Sequence, residues 1–329
     1  MCSSDLTGNE LIVSNEGGNS VKVLVNDGKG VMKSPFPAVA LGGAPRGLTS
    51  GDFDGDGDID VAVAIPGQGR VVILNNNGTG NLTLGASIVT GGVPVTVAAL
   101  TQKNASYPDL VVCDYGSFIV AGNIFYVANA GNASGTPGTW GAATSLKSGG
   151  LFADLAVGDL DGDNRPDIVA ANSSSGAARG VHVLMGSSGG SFSALSGSPF
   201  NVGRTPETVA LGDLNGDGAL DIATTTAVPI PGPAGISVLY SSAGSFVLHD
   251  LLQTPALSVT IGDADGAGKR DLAFARLNGL VTVVHGYNQG AAPDGIESRA
   301  TPTGVTRVLL TPVSLANTCG GVDLVGLSN

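Results

Sequence analysis

Aspartates at alternate positions are the residues of this sequence best suited to chemistry. The stretch 51–64 reads GDFDGDGDIDVAVA, in which every second residue from position 52 to position 60 is an aspartate. In a tightly coiled loop, the carboxylates at loop positions one, three, five and nine can converge on one ion, and a backbone carbonyl can add a further ligand. Ca²⁺ prefers such a set of hard oxygen ligands. A plain polar turn is the alternative, but crowded carboxylates repel one another without a cation.

The same pattern recurs along the chain as GDLDGDNRPDIVAAN (158–172), GDLNGDGALDIATTT (212–226) and the weaker GDADGAGKRDLAFAR (262–276). The ligands predicted for three Ca²⁺ sites are Asp52, Asp54, Asp56, Asp60, Asp159, Asp161, Asp163, Asp167, Asp213, Asn215, Asp217 and Asp221. A fourth, weaker Ca²⁺ site is predicted at Asp263, Asp265 and Asp271, because Ala267 replaces the carboxylate at position five. Position six must tolerate a positive φ, and it is Gly57, Asn164 or Gly218 in the three stronger loops. We expect the ions to be structural.

The elements around these loops form a repeat. An acidic residue directly before an apolar run recurs about every 50 residues. These residues are Glu10, Asp60, Asp109, Asp167, Asp221, Asp271 and Asp323. Each repeat reads as a short strand, the acidic loop, an apolar strand, a variable connection, a third strand, a tight turn and a weaker fourth strand. Four antiparallel strands per period are typical of a propeller blade.

The repeats predict an all-β fold, a seven-bladed β-propeller of four-stranded antiparallel blades whose first and last blades are partial. A single domain is expected over 1–329, with repeats at approximately 1–46, 47–94, 95–152, 153–206, 207–256, 257–304 and 305–329. The alternative is a six-bladed propeller, closed by the strand near 305–310 joining the first strands of the chain.

Composition excludes several functional classes. The net charge of −12 lies mostly in the acidic loops, and no basic stripe predicts a nucleic-acid partner. No apolar run is long enough to predict a membrane span. The three histidines, His182, His249 and His285, fall in different repeats without metal-ligand spacing. Because no catalytic motif is apparent either, the sequence favours a protein that is not an enzyme.

The repeat resembles a known family. The pattern P-x-(T/S)-V-x-(L/I)-G-D-x-(D/N)-G-D-G-x-x-D-(I/L)-x-x-(A/T) is similar to the FG-GAP/VCBS repeats of integrin alpha-subunits and of many secreted bacterial proteins. The match is specific in repeats two, four and five, recognisable in repeat six and eroded in the others. The resemblance implies an extracellular or cell-surface propeller, expected to be monomeric. It also implies a bacterial protein, of which this chain, without a signal peptide, would be a fragment.

The resemblance also implies where a partner would bind. In integrin-type propellers the partner meets the face opposite the calcium loops, and variable loops on a rigid scaffold commonly carry binding. The candidate ligand-binding residues on that face are Arg46, Tyr115, Phe118, Arg179, Arg204 and Arg276. The expected partner is a protein or a glycan at a cell surface or in the extracellular matrix. The alternatives are a propeller-fold hydrolase or lyase, the accessory domain of a secreted enzyme, or a lectin.

Overall fold

The chain consists of antiparallel sheets in two compact units, Met1–Leu155 and Ala156–Asn329. The structure, a computed structural model, describes residues 10–26, 32–117, 120–133, 135–203, 205–226, 235–252, 255–276, 278–287, 293–300, 305–311 and 323–328. Within these residues the only helical elements are short 3₁₀ turns, at Pro66–Gln68, Ala130–Ala133 and Gly176–Ala178. The prediction of an all-β fold is confirmed.

The first unit contains blades one to three. Blade one is formed by β1 (Glu10–Asn15), β2 (Ser20–Asn26), β3 (Met32–Lys33) and β4 (Val39–Ala40), with β3 and β4 both paired to β2. Blade two is β5 (Leu48–Gly51), β6 (Asp60–Ile65), β7 (Arg70–Asn75) and β8 (Thr83–Val89). Blade three is β9 (Pro94–Leu100), β10 (Asp109–Asp114), β11 (Gly122–Val127) and β12 (Thr144–Gly150).

The second unit contains blades four to six, although its first strand begins before the unit boundary. Blade four is β13 (Phe152–Gly158), β14 (Asp167–Asn172), β15 (Gly180–Ser187) and β16 (Ser191–Ala194). Blade five is β17 (Pro206–Gly212), β18 (Asp221–Thr226), β19 (Gly235–Ser242) and β20 (Ser245–Leu252). Blade six is β21 (Ala256–Gly262), β22 (Asp271–Arg276), β23 (Leu280–His285) and β24 (Gly295–Ala300), followed by the pair β25 (Val305–Thr311) and β26 (Asp323–Ser328).

The number of blades corrects the main prediction. The described residues form six four-stranded sheets and one two-stranded sheet, so the prediction of seven blades is wrong and the six-bladed alternative is confirmed. Each acidic residue before an apolar run marks the start of one strand and not of a complete blade. Asp323 begins such a strand, which belongs to a sheet of two described strands. Among the described residues β25 pairs with β26, and the closure by the strand near 305–310 stays a prediction.

The acidic loops are fixed at both ends by strand pairing. Each acidic residue used to align the repeats begins a strand, as the sequence predicts. In blade two, Gly51 pairs with Asp60, so residues 52–59 form the connection between adjacent antiparallel strands. Gly212 pairs with Asp221 in blade five in the same way. The carboxylates therefore project from loops whose two stems are hydrogen-bonded to each other.

In blade two the second strand is buried on both faces, which explains its purely apolar sequence after Asp60. In β6, Val61, Val63 and Ile65 pack in one hydrophobic cluster with residues of blade one. The alternating residues Ala62 and Ala64 pack in a different cluster with residues of blade three. Because every side chain of β6 is buried, no period-two polar pattern is possible. The acidic loop thus begins from a rigid core strand.

Candidate metal centres

The first aspartate of each acidic loop organises the loop backbone. In blade two, Asp52 Oδ1 accepts a hydrogen bond from Gly55 N (2.8 Å), and Asp52 Oδ2 accepts one from Gly57 N (3.2 Å). Gly57 has a φ of 92°, so position six adopts the left-handed conformation that the sequence predicts. Asn164 and Gly218 do the same with φ values of 60° and 89°. The glycine-rich spacing therefore allows the loop to coil around its first carboxylate.

The last aspartate of each loop connects the loop to the end of the third strand. Asp60 is fully buried; its Oδ2 accepts a hydrogen bond from Phe53 N (3.0 Å) and its Oδ1 accepts one from Asn76 N (2.8 Å). The equivalent backbone donors are Leu160 and Gly186 for Asp167, Leu214 and Ser241 for Asp221, and Ala264 and Gly286 for Asp271. This aspartate is therefore a structural element of the blade as well as a predicted ligand.

Two of the loops bring three carboxylates to one point. Ligand oxygens of Asp52, Asp54 and Asp60 lie within 4.8 Å of one another, as do those of Asp159, Asp161 and Asp167. Since Ca²⁺–oxygen bonds are about 2.3–2.6 Å long, atoms this close can all contact one ion. The donor set and its spacing therefore fit a hard divalent cation. These two clusters contain loop positions one, three and nine.

The carboxylate at position five lies outside these clusters. Asp56 is exposed and its Oδ1 accepts a hydrogen bond from Asp58 N (2.9 Å). In blade four, Asp163 pairs with the guanidinium of Arg165. In blade five, Asp217 accepts a hydrogen bond from the amide of Asn215, its neighbour at position three. The metal-binding role assigned to position five stays a prediction.

Burial of the last aspartate makes its negative charge costly. Burial raises the pKa of Asp60 to about 7 and that of Asp167 to about 6, against an ordinary value of 3.8. Burial also raises the pKa of Asp221, although backbone hydrogen bonds from Ser241, Leu214 and Asn215 oppose the shift. Neighbouring carboxylates add to the effect at Asp60 and Asp167, because like charges disfavour ionisation. A bound cation would offset this cost.

Blade three has lost its acidic loop, and amide side chains take over its contacts. Asp109 Oδ1 accepts hydrogen bonds from Asn129 N (2.7 Å) and Asn132 Nδ2 (3.2 Å), and Asp109 Oδ2 accepts one from Tyr126 Oη (2.6 Å). Asn132 Oδ1 accepts from Tyr107 N (3.0 Å) in the connection that replaces the loop. The connection between the first two strands of blade three is thus held by side chains. The carboxylate of Asp109 accepts its hydrogen bonds from neutral donors.

Four of the residues predicted to bind a partner, Arg46, Tyr115, Arg179 and Arg276, lie at the end of their blades opposite the acidic loops. Arg46 precedes β5, and its side chain lies 3.8 Å from Glu16. Tyr115 follows β10 and is 36% exposed. Arg179 follows the 3₁₀ turn after β14, and Arg276 is the last residue of β22. The other two predicted residues, Phe118 and Arg204, lie outside the described residues.

Sequence reasoning missed the last residue of the third strand. In blade two, Asn75 Nδ2 donates to Asp54 Oδ2 at 3.1 Å. In blade six the equivalent residue is His285, whose Nδ1 lies 3.6 Å from Asp265 Oδ2. A comparison of third-strand ends between repeats would have identified this position, since it directly precedes the residue whose N–H binds the last aspartate.

The sheets and loops define an all-β protein of the β-propeller class with acidic loops between first and second strands. A sequence model of the FG-GAP-like repeat matches residues 8–63 and 159–224, and this match together with the sheets supports an FG-GAP repeat β-propeller protein. No curated protein matches the sequence significantly. An FG-GAP propeller of this kind suggests a module for binding or adhesion. No helix among the described residues has the length and apolar character to cross a membrane.

Two solved structures are similar in fold. A crystal structure of BBS1N in complex with ARL6DN has a TM-score of 0.57 at 15% identity, over 99% of this chain and 90% of that chain. A protein from Lactobacillus plantarum has a TM-score of 0.56 at 12% identity, over 90% of this chain and 83% of that chain. At these identities the similarity shows a common fold only.

Proposed function

We propose that this protein is a calcium-stabilised extracellular binding or adhesion module. The observation that supports calcium most strongly is the convergence of Asp52, Asp54 and Asp60 within 4.8 Å in blade two. The same three loop positions converge in blade four. We include the loop of blade five as a third site, because its Asp213 and Asp221 make the same backbone hydrogen bonds as their counterparts.

The proposed role of the ion is to hold the loop between first and second strands. The residues present supply what such an ion needs, namely hard oxygen donors on a loop with hydrogen-bonded stems. The buried carboxylates of Asp60 and Asp167, whose pKa values are raised, form no ion pair with a basic side chain among the described residues. A divalent cation would supply that charge and would stabilise the folded state by mass action.

Calcium removal tests this part of the proposal. Metal-stripped protein titrated with Ca²⁺ should bind about three equivalents in a calorimeter, and saturating Ca²⁺ should raise the melting temperature. The variant Asp54→Ala should lose one equivalent, because position three then offers no oxygen ligand, whereas Asn215 at position three of blade five still offers an amide oxygen. A melting curve that is identical in excess chelator and in excess Ca²⁺ would refute the calcium assignment.

The proposed binding surface is formed by the loops at the opposite end of the blades. Tyr115 offers a partly exposed aromatic ring, and Arg46 offers an exposed guanidinium. Arg276 has a buried Nε without a hydrogen-bond partner in the described structure. Aromatic and arginine side chains are enriched where proteins bind partners. The partner we propose is a protein or a glycan at a cell surface or in the extracellular matrix.

Substitutions at the two ends of one unit test this surface. Calcium-loaded protein would be screened against a glycan array and against immobilised matrix proteins. Arg46→Ala and Tyr115→Ala should weaken any binding that is found. Lys103→Ala removes an exposed cation at the acidic-loop end of the same unit and should leave binding unchanged. Loss of binding in Lys103→Ala alone would place the surface at the other end, and binding to glycans only would favour the lectin alternative.

A further inference from the structure

Blade six combines an incomplete acidic loop with a histidine. Its loop carries Ala267 at position five and Lys269 and Arg270 at positions seven and eight. The corresponding loop of blade two contains five aspartates and no cation. A Ca²⁺ ion needs six to eight oxygen ligands and gains from negative charge. The loop of blade six is therefore a poor calcium loop, in keeping with the weaker fourth site that the sequence predicts, and its Ca²⁺ binding stays a prediction.

The histidine lies beside two of the remaining carboxylates of this loop. Oxygen atoms of Asp265 and Asp271 and a nitrogen atom of His285 lie within 4.8 Å of one another. His285 Nδ1 is 3.3 Å from Asp271 Oδ2 and 3.6 Å from Asp265 Oδ2. The second distance is beyond hydrogen-bond range, and the first is long for a hydrogen bond. The imidazole nitrogen therefore stands between two carboxylates without a short bond to either.

These spacings suit a small transition-metal ion. With metal–ligand bonds of about 2.0–2.1 Å, two neighbouring ligand atoms in a tetrahedral site are about 3.3–3.4 Å apart. Imidazole nitrogen with carboxylate oxygen is a donor set for Zn²⁺ and similar ions, whereas Ca²⁺ is bound by oxygen. We propose that Asp265, Asp271 and His285 form a binding site for a divalent transition-metal ion such as Zn²⁺.

Two further observations support the site. The backbone of His285 is held in place, because the next residue, Gly286, donates its N–H to Asp271 Oδ1 at 2.8 Å. In the same loop, Asp263 Oδ1 is buried and has no hydrogen-bond partner among the described residues. Buried carboxylate oxygens are normally satisfied, so this oxygen marks a place where a donor or a cation is missing. Lys269, one of the two basic residues of this loop, is paired with Asp294 at 2.7 Å.

Cobalt and zinc binding test the proposal in the full chain. Metal-stripped protein would be saturated with Ca²⁺ to block the oxygen-rich loops and then titrated with Zn²⁺ by calorimetry and with Co²⁺ by visible absorption. We expect one equivalent of either ion, with ligand-field bands of nitrogen and oxygen ligation. His285→Gln should weaken this binding by at least about tenfold. His249→Gln, in blade five, is the matched control and should leave it unchanged.

A second variant keeps the test decisive. Asp265 is exposed, so Asp265→Asn should fold normally and should also weaken Co²⁺ binding if the site is correct. Unchanged binding in Asp265→Asn and in folded His285→Gln would overturn the proposal. Absence of Co²⁺ binding by the calcium-saturated wild type would overturn it too. A sulfur charge-transfer band would assign the ion to cysteine instead. Because neither variant alters the loops of blades two, four and five, calcium stabilisation can fail or succeed independently of this result.

Discussion

Replacement of Asn129 by alanine should destabilise the protein through lost hydrogen bonds in blade three. Asn129 is 1% exposed, and its Nδ2 donates to Phe53 O (2.7 Å) and to Pro108 O (3.3 Å). Its Oδ1 accepts from Gly131 N (3.1 Å). The bond from Asn129 N to Asp109 is made by the backbone and survives the substitution. Asn129→Ala therefore removes three side-chain bonds and leaves buried backbone groups without partners.

The magnitude follows from the cost of unsatisfied groups. A buried polar group left without a partner costs about 1–3 kcal/mol, and the shortest bond here, to Phe53 O, is fully buried. Since Pro108 O and Gly131 N are partly buried, we expect a total loss of about 3 kcal/mol. For a chain of this size the melting temperature should fall by about 4 °C.

Thermal and urea unfolding would measure this loss, with and without Ca²⁺. The control is Asn123→Ala in the same blade, because Asn123 makes one exposed side-chain bond, to Ser145 Oγ (3.1 Å). It should cost less than about 1 kcal/mol. Since Asn129 binds backbone atoms and no predicted metal ligand through its side chain, its effect should persist in metal-free buffer. Equal unfolding midpoints for Asn129→Ala and Asn123→Ala would refute this account of blade three.

Two further predictions concern the acidic loops. Gly55→Ala should destabilise the protein by about 1–3 kcal/mol, because Gly55 has a φ of 78° and a Cβ there would lie 2.4 Å from Tyr107 Cε1. The control Gly67→Ala, where a Cβ would meet open space, should be nearly neutral. Equal urea midpoints for the two variants would contradict this prediction. Without metal, the raised pKa of Asp60 (about 7) and of Asp167 (about 6) means that the folded state binds protons more tightly than the unfolded state, so stability should fall as pH rises from about 4 to 7. The change should be on the order of 3 kcal/mol in urea unfolding, Asp60→Asn should reduce it, and a rise in metal-free stability over this range would be inconsistent with buried, uncompensated carboxylates.

The local structure of the blades could be predicted from the sequence because each signal is local. The acidic residue before each apolar run begins a strand in every repeat, from Glu10 to Asp323. The positive φ of Gly57 and Asn164 follows from loop chemistry alone. The number of blades could not be predicted in this way. A complete sheet depends on which strands pair, and among the described residues β25 forms a two-stranded sheet with β26, which no local pattern specifies.

The side chains that complete the loops come from distant parts of the sequence. His285 is 14 residues from Asp271, and Asn132 is 23 residues from Asp109. Their positions depend on the register of the third strand and on the connection that follows it. The spacing of the three histidines in the sequence does not reveal this register. The proximity of His285 to the acidic loop is therefore visible only once the strands are paired.

The packing of Trp140 against Phe53 has a spectroscopic consequence. The two rings meet edge to face with centroids 5.6 Å apart, and Phe53 is the second residue of the blade-two loop. Because Trp140 is the only tryptophan of the chain, its emission reports on a single loop among several similar ones. A fluorescence titration should therefore give the occupancy of blade two alone, while calorimetry gives the sum over all loops. Whether blade two fills before or after the other loops can thus be measured without any added label.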